Sequence, residues 1–570
     1  MAAFHPGVFY PPSVILFLPD TVSALNLFYF GHYLVLGTFT YLLGKLWGFS
    51  FAARIASSMT SMLSGFIIAS TLTSNFFLGA VWLPLIFWAY LKYRQEKRIR
   101  YFIGTVLAIA TQTLAACPEI SIMTMVLLYV YTLWFMPREE GLSGAVRITV
   151  SLGLAVALAL GLSALQLLPT AKLISHSIRD GGVNYQHHSE WSLEPYKLTS
   201  LVMSPGYHEN LGSKTIPLKF SGLIHTIYMG LIGLTLVMLG FCFRREKVVG
   251  FWLLVFFLGI WLALGRYNFL YEYFYSWVPL VKLFRFPEKY FYVSSFAVVF
   301  LTGFILDRLT RDPRSIKITP VLTLLILLFG SIALVGLMNP HLEMELSLTL
   351  LFIFGLSYTL FYFGKIKQIV FTGLVCFLIV FNLFLKGSQL LPLTDRKFFE
   401  EKPMFMDILG ESAGKSRIYS GTVQKPVNDY HYPNGPSFMA SLIIAKQYLR
   451  PYTGMVYGVE HVKGLPGLAM GLKDHILWVE VYNASKPERR LRILKRSNVK
   501  YWINQDKLTP YTIDNQPMIL PERVEVFQDS LPRAFLVPDM VEPGQGHVLN
   551  TYYDEKFDPL KKVVLSELVD

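Results

Sequence analysis

From residue 23 to residue 386 the chain is a succession of apolar runs with almost no charge inside them. Each is about 20 residues long, which is what a helix needs to cross the hydrocarbon core of a bilayer. In that solvent a lone segment must satisfy its own backbone hydrogen bonds, so the runs read as helices. They lie near 23–44, 50–72, 76–91, 101–116, 119–136, 148–171, 221–241, 248–265, 289–307, 318–338, 346–363 and 368–386. The expectation is a mainly α, polytopic membrane domain of roughly twelve spans. The third and fourth runs are short, and read either as re-entrant or as tightly packed spans. Composition points the same way. Charged residues make up 16% of the chain and hydrophobic ones 53%, whereas soluble domains carry about a quarter charged residues.

The position of the charges orients this map. Lys45 and Arg54, the set Lys92, Arg94, Lys97, Arg98 and Arg100, then Arg138 and Arg147, occupy one series of connections. Arg244, Arg245 and Lys247, then Arg308, Arg311, Arg314 and Lys317, then Lys365 and Lys367 continue it. The alternate short connections, near 73–75, 116–118 and 339–345, hold no Lys or Arg. The positive-inside rule therefore places the basic set in the cytoplasm. The long loops 172–220 and 266–288 then face outward, as do both termini. The formal charge of +13 also invites a nucleic-acid reading, but no binding motif of that kind is present, and nucleic acid is excluded as a partner.

Beyond residue 390 the apolar runs stop, and charges and prolines become frequent. Residues 1–390 are thus read as the multi-spanning domain and 391–570 as a small extracytoplasmic α/β domain. Val499–Asn504 and Val524–Phe527 alternate like half-buried strands. Ser485–Ser497 (SKPERRLRILKRS) has the pattern of a basic amphipathic helix, which either touches anionic headgroups or forms a solvated surface.

Ionisable residues in or beside spans are costly and so point to function. His32 lies in the first run, where it either serves a site or hydrogen-bonds a neighbouring helix. Glu119 follows Pro118 at a helix start, a position the helix dipole also favours. His176 and Arg179 follow the sixth run. Arg285, Glu288 and Lys289 sit in LFRFPEKYFY at the outer start of the ninth. Glu288 and Lys289 read equally as interfacial anchors beside Tyr290. Arg285, between two phenylalanines and before a proline, presents a planar fork suited to phosphate. On the map, most of these residues share the outer surface and could line one cavity. His187, His188 and Glu190 carry metal-ligating groups but lack a ligand spacing pattern, so they read better as a polar loop and no metal site is assigned. A divalent cation has no support in the sequence, and no cofactor is assigned. Cys117, Cys242 and Cys376 form no CxxC pair and imply neither a disulfide framework nor zinc. No Walker loop, HExxH or GxSxG is present. Asn483-Ala484-Ser485 matches a glycosylation acceptor, a pattern frequent by chance.

Several segments, in order along the chain, resemble the YfhO-like bacterial membrane proteins, regarded as GT-C-type glycosyltransferases. They are Tyr10-Pro11-Pro12, Gly31-His32, Trp82-Leu83-Pro84-Leu85, Cys117-Pro118-Glu119, and Ala164-Leu165-Gln166-Leu167-Leu168-Pro169 with Ser177 and Arg179. Ala263-Leu264-Gly265, Pro279, and Phe284-Arg285-Phe286-Pro287 with Lys289 are the most specific. Asn498-Val499-Lys500-Tyr501 and Leu531-Pro532-Arg533-Ala534-Phe535 extend the likeness into the tail. The resemblance implies a GT-C-like fold in the bacterial cytoplasmic membrane. It also implies a polyprenyl-phosphate-sugar donor and an extracytoplasmic cell-envelope polymer as acceptor. Arg285, then Arg179, are the candidates for the donor phosphate. His32, Glu119, His176, Glu288 and Lys289 are the candidates for lining the cavity. The catalytic acid of such enzymes lies in a first outer loop that this sequence does not show, and the first twenty residues hold no signal-like basic stretch. The expectation is a chain lacking an N-terminal helix and the far C-terminal region of its relatives, and inactive by itself if so. The alternatives are a flippase of lipid-linked glycans and a non-catalytic glycan- or lipid-binding partner. A transporter would place charge at the membrane midplane in related halves, whereas the charges here gather at the outer rim.

Overall fold

The computed structural model describes residues 7–202, 223–224, 226–338, 344–388, 390–391, 394–410, 414–424, 438–451, 453–463, 472–506, 508–513, 516–522, 524–541 and 548–565. The chain divides into two compact units. Met1–Lys172, Gly181–His208 and Pro217–Pro392 form the first, and Leu173–Asp180, Glu209–Ile216 and Leu393–Asp570 the second.

The first unit is helical. Among the described residues, seven helices are long and apolar enough to cross a membrane: Thr21–Leu46, Phe51–Ser70, Ser74–Glu96, Arg138–Leu162, Pro287–Arg311, Glu345–Tyr362 and Gln368–Gly387. Five of the expected runs form shorter apolar helices: Ile99–Leu114, Pro118–Trp134 (α1), Leu231–Phe243, Lys247–Ala263 (α2) and Ile318–Leu334. The third run proves longer than its apolar core, because Lys92 and Arg94 extend the helix to Glu96. Long cationic side chains tolerate this by burying their stems and keeping the charge in water. The sixth run is displaced towards the N-terminus. Its helix starts at Gly141, ends at Leu162, and gives way at Ser163 to a second helix, Ala164–Ser175. The seventh begins only at Leu231, because Gly230 takes φ +89° and Asn382 Oδ1 accepts from the Leu231 N–H at 3.1 Å.

Helix α2 runs beside Phe291–Arg311 (α4) at very close range. A Cβ on Gly259 would lie 2.2 Å from Ser294 Oγ. Small residues at such a contact let two backbones approach where lipid offers no hydrophobic drive to associate. Between α2 and α4 lies a connection containing the short helix Tyr271–Trp277 (α3).

The second unit contains a four-stranded sheet. Its order is Glu460–His461, Arg417–Gly421, Val499–Asn504, Val524–Val526; the first two pairings are parallel and the last antiparallel. Val499–Asn504 is a central strand covered on both faces, rather than half-buried. Tyr419 and Trp502 join Trp478, Tyr482, Ile493 and Leu494 on one face. Ile418, Tyr501 and Ile503 join Phe405, Leu409 and Leu449 on the other. The basic helix, Pro487–Arg496, supplies Ile493 and Leu494 to the first face. Much of its charge is used inside the unit. Buried Arg490 donates to the carbonyls of Tyr482, Val423 and Asn483 at 3.0, 2.9 and 2.7 Å. Lys495 pairs with Asp529 at 2.8 Å.

Candidate functional site

The site is built on a strained proline junction. Pro287 opens the turn into α4, and a residue before proline is kept out of the right-handed helical region. Phe286 adopts φ +73° instead. For a bulky side chain that conformation persists only where its surroundings enforce it. The enforcement comes from the loop 184–194. Phe286 N–H donates to the His188 carbonyl at 3.0 Å, and Glu288 N–H donates to the Trp191 carbonyl at 3.2 Å. Trp191 is itself at φ +49°, and its ring packs against Phe286 at a tilt of 31°, 4.3 Å between centroids. Two strained residues thus brace each other and fix Arg285 between them and Phe284.

His188 locks the same junction from behind. Its Nδ1 lies 2.8 Å from the Phe284 carbonyl and its Nε2 2.8 Å from the Tyr271 hydroxyl. A carbonyl only accepts, so Nδ1 carries the proton and Nε2 accepts from tyrosine. Burial pushes this imidazole below the usual histidine range, with the Phe284 carbonyl opposing, and keeps it neutral.

Charged side chains converge around this frame. Arg285 donates to Glu190, and its guanidinium stacks 4.5 Å from the Phe286 centroid. Glu190 also bonds His187 Nδ1 at 2.8 Å. Burial works to raise the Glu190 pKa, but the hydrogen bonds from His187 and Arg285 outweigh it and hold the carboxyl below its usual range. One turn further on, Lys289 meets Glu119, at the start of α1, at 2.7 Å. Lys289 also lies 5.4 Å from the Phe286 centroid.

Beneath these charges lies a cavity of about 370 Å³. Its walls are apolar: Val126 and Val130 of α1, Leu258 and Leu262 of α2, then Val278 and Val281 beyond α3. Its polar lining is confined to one end, where Glu119, His188, Arg285, Lys289 and Tyr290 gather. Val126, Val130 and Leu258 line the cavity and yet are 56%, 43% and 47% exposed. These wall residues of α1 and α2 are therefore not sealed in the core of the unit.

The other residues singled out in the sequence fall in three places. Glu288 is fully buried beside the junction. It pairs with Lys197 at 2.8 Å and accepts from the backbone N–H groups of Leu223 and Ile224 at 3.0 and 3.3 Å. His32 lies outside the cavity lining. Its Nδ1 donates to the Phe28 carbonyl and its Nε2 accepts from Tyr10, both at 2.6 Å, while Trp82 donates to Tyr10 at 2.9 Å. His176 and Arg179 belong to the second unit. There the Lys473 N–H bonds the His176 carbonyl at 3.1 Å and the Arg179 N–H bonds Ser177 Oγ at 3.1 Å. His187 and His188 diverge: the first faces Glu190 and the second is buried against Tyr271. Among the described residues no three His, Cys, Asp or Glu side chains cluster as a metal site would require. The sequence reading missed the pairing of Glu190 with Arg285, the lock formed by His188 and Tyr271, and Lys197. The signal for the first was an acidic residue in the long loop 172–220.

The family model described as bacterial membrane protein YfhO matches residues 4–401. No curated protein and no solved structure matches the chain.

Proposed function

Because the chain belongs to the YfhO family of bacterial membrane proteins, we propose that it acts as a membrane glycosyltransferase. It takes a sugar from a polyprenyl-phosphate-linked donor and passes it to a cell-envelope acceptor outside the cytoplasmic membrane. In this reading all twelve apolar helices cross the bilayer, and the C-terminal unit is an extracytoplasmic α/β domain. The supporting observation is the form of the cavity: apolar walls, and one charged end holding Arg285 and Lys289. A lipid phosphate matches both features, with its chain along the valine and leucine walls and its head on the cations. Arg offers a fork for phosphate oxygens. In a site shielded from water, such a cation stabilises the charge that builds up as the lipid phosphate leaves the sugar.

The test is binding of polyprenyl monophosphate to the purified protein in lipid nanodiscs, with the unphosphorylated polyprenol as control. The expected result is binding of the phosphate form, weakened roughly tenfold or more by Arg285→Gln, since a charge-assisted hydrogen bond contributes about 1.5–3 kcal/mol. Equal binding of phosphate and alcohol would remove Arg285 from the site. In cells, loss of the gene is expected to strip a sugar from an envelope polymer while lipid-linked precursor is still exported. Accumulation of precursor on the inner side would favour a flippase.

A further inference from the structure

Of the described residues that line the cavity, those that carry charge are Glu119, Arg285 and Lys289, and both members of one ion pair are among them. Lys289 Nζ meets Glu119 Oε1 at 2.7 Å, with each side chain 13% exposed. We infer that this pair selects the sugar of the donor, its carboxylate and ammonium together taking the hydroxyls of a neutral sugar while Arg285 holds the phosphate. The inference rests on the donor reading above and adds the residues that recognise the sugar.

Three observations carry it. The first is where the pair lies. Lys197 and Glu288 tie the same junction together without lining the cavity, so a tie between elements does not require charge in the cavity wall. An ion pair taken out of water is a poor source of stability, and one kept at the mouth of an apolar cavity offers its hydrogen bonds to what enters. The second is chemistry. A carboxylate only accepts and an ammonium only donates, whereas a hydroxyl does both. A sugar O–H can therefore donate to Glu119 and accept from Lys289 without separating them. Arg285 Cζ and Lys289 Nζ lie 4.5 and 5.4 Å from the centroid of the same Phe286 ring, so one glycosyl phosphate reaches both cations. Arg285 holds Glu190 through Nη2, and a guanidinium has five N–H donors, so the phosphate needs no exchange of partners. The third is rigidity. Ala116, just before α1, is at φ +68°, a conformation that persists in a non-glycine residue only where its surroundings hold it. Asn75 Nδ2 donates to the Ala116 carbonyl at 3.1 Å, and Cys117 Sγ donates to Glu119 Oε2 at 3.6 Å. Lys289 stands on the strained turn at Phe286. Both halves of the pair are thus held in place, as recognition of hydroxyl positions requires.

The charge balance sets the class of sugar. Two cations and one carboxylate leave the lining with one net positive charge, since His188 is neutral. A glycosyl phosphodiester of a neutral sugar carries one negative charge and matches it. A carboxylate on the sugar would face Glu119, and like charges brought together cost affinity.

The experiment measures binding of phosphodiesters of one polyprenol to the purified protein in lipid nanodiscs. The probes are the glucosyl, galactosyl and N-acetylglucosaminyl diesters, the glucuronyl diester, and the methyl diester, which keeps the lipid and the phosphate charge but has no sugar. Wild type is expected to bind the tightest neutral glycosyl diester roughly tenfold tighter than the methyl diester, and the glucuronyl diester no tighter than the methyl one. Glu119→Gln is expected to cut the preference for sugar over methyl to about threefold or less and to narrow the gap between neutral and acidic sugars. A merely structural pair would change the affinities together and leave their ratio as in wild type. No binding of any diester by wild type would overturn the donor reading and this inference with it. Binding of the methyl diester as tightly as every glycosyl diester, or a full preference kept by Glu119→Gln, would overturn the role of the pair and leave the lipid phosphate in place. Equal binding of the glucuronyl and neutral diesters by wild type would also count against it. If Glu119→Gln fails to fold, the double variant Glu119→Gln, Lys289→Gln, which strands no charge, decides, and a wild-type preference in that protein overturns the proposal.

Discussion

At the scale of single residues, the charges around the proline junction divide into a partly exposed pair and a buried one. Arg285 and Glu190 are partly exposed, and Arg285 lines the cavity. Lys197 and Glu288 are the opposite case, with side chains 7% and 0% exposed. The second oxygen of Glu288 ties down the N–H groups of Leu223 and Ile224, so this carboxylate staples the loop around 195–201 and the strap at 223–224 to the start of α4. Removing one partner of a buried pair strands the other charge and costs about 3–5 kcal/mol. Lys197→Met is therefore expected to lower the melting temperature of the detergent-solubilised protein by several degrees, and Lys197→Met combined with Glu288→Gln to recover part of that loss. A Lys197→Met protein that melts like wild type would show that Glu288 is compensated elsewhere. The sequence singled out Glu288 but not Lys197, and it named Glu190 only as part of a polar loop, apart from Arg285. Arg285 and Glu288 stood out because they share a short motif at a helix mouth. Their partners lie about ninety residues away in a loop with no periodicity, and pairing across such a distance is set by the tertiary path of the chain rather than by any local pattern.

At the scale of elements, the apolar runs located the helices because length and hydrophobicity are the terms that the bilayer reads. Their breaks were harder to see. Ser163 and Gly230 interrupt apolar stretches that look continuous, because the break depends on which distant group caps the freed backbone, as Asn382 does for Leu231. The strand Val499–Asn504 shows the same limit, since alternation gives the period but not whether a second layer covers the outer face. Close helix contact is another property hidden from composition. Gly259 on α2 has Ser294 Oγ, Val293 Cγ2 and the Ser294 backbone nitrogen at 2.2, 2.7 and 3.0 Å from where a Cβ would sit. Gly153, in the helix Gly141–Leu162, has nothing within 4 Å. Gly259→Ala should force α2 away from α4, costing about 1–3 kcal/mol by overpacking, and should loosen the cavity wall that α2 supplies. Gly153→Ala should be neutral or slightly stabilising, because alanine is the better helix former. Thermal melts of the two variants side by side check this, and equal behaviour would mean that the α2–α4 contact is not tight.

At the scale of the whole molecule, the functional reading depends on which way the first unit lies in the membrane. A polyprenyl-linked donor used outside the cytoplasm requires the charged end of the cavity, formed by the 184–194 and 266–289 segments, to face outward. The basic connections must then face inward, as the distribution of Lys and Arg implies. One native residue reports on this directly. Cys242 is exposed, whereas Cys117 is buried and Cys376 only partly accessible, and Cys242 is followed by Arg244, Arg245 and Lys247 in one of the basic connections. Tyr273, 59% exposed on α3, marks the opposite side, beside the cavity. A membrane-impermeant maleimide added to intact spheroplasts is expected to leave the wild-type protein unlabelled and to label it at Cys242 once the membrane is permeabilised. A Cys242→Ser, Tyr273→Cys protein should label in intact spheroplasts. The reverse pattern would put the charged end of the cavity in the cytoplasm, where nucleotide-activated donors are available and a lipid-linked sugar has no advantage. The transferase reading would then fall for a reason independent of Arg285, and agreement between this labelling and the lipid-phosphate binding would tie the chemistry of the site to the side of the membrane it serves.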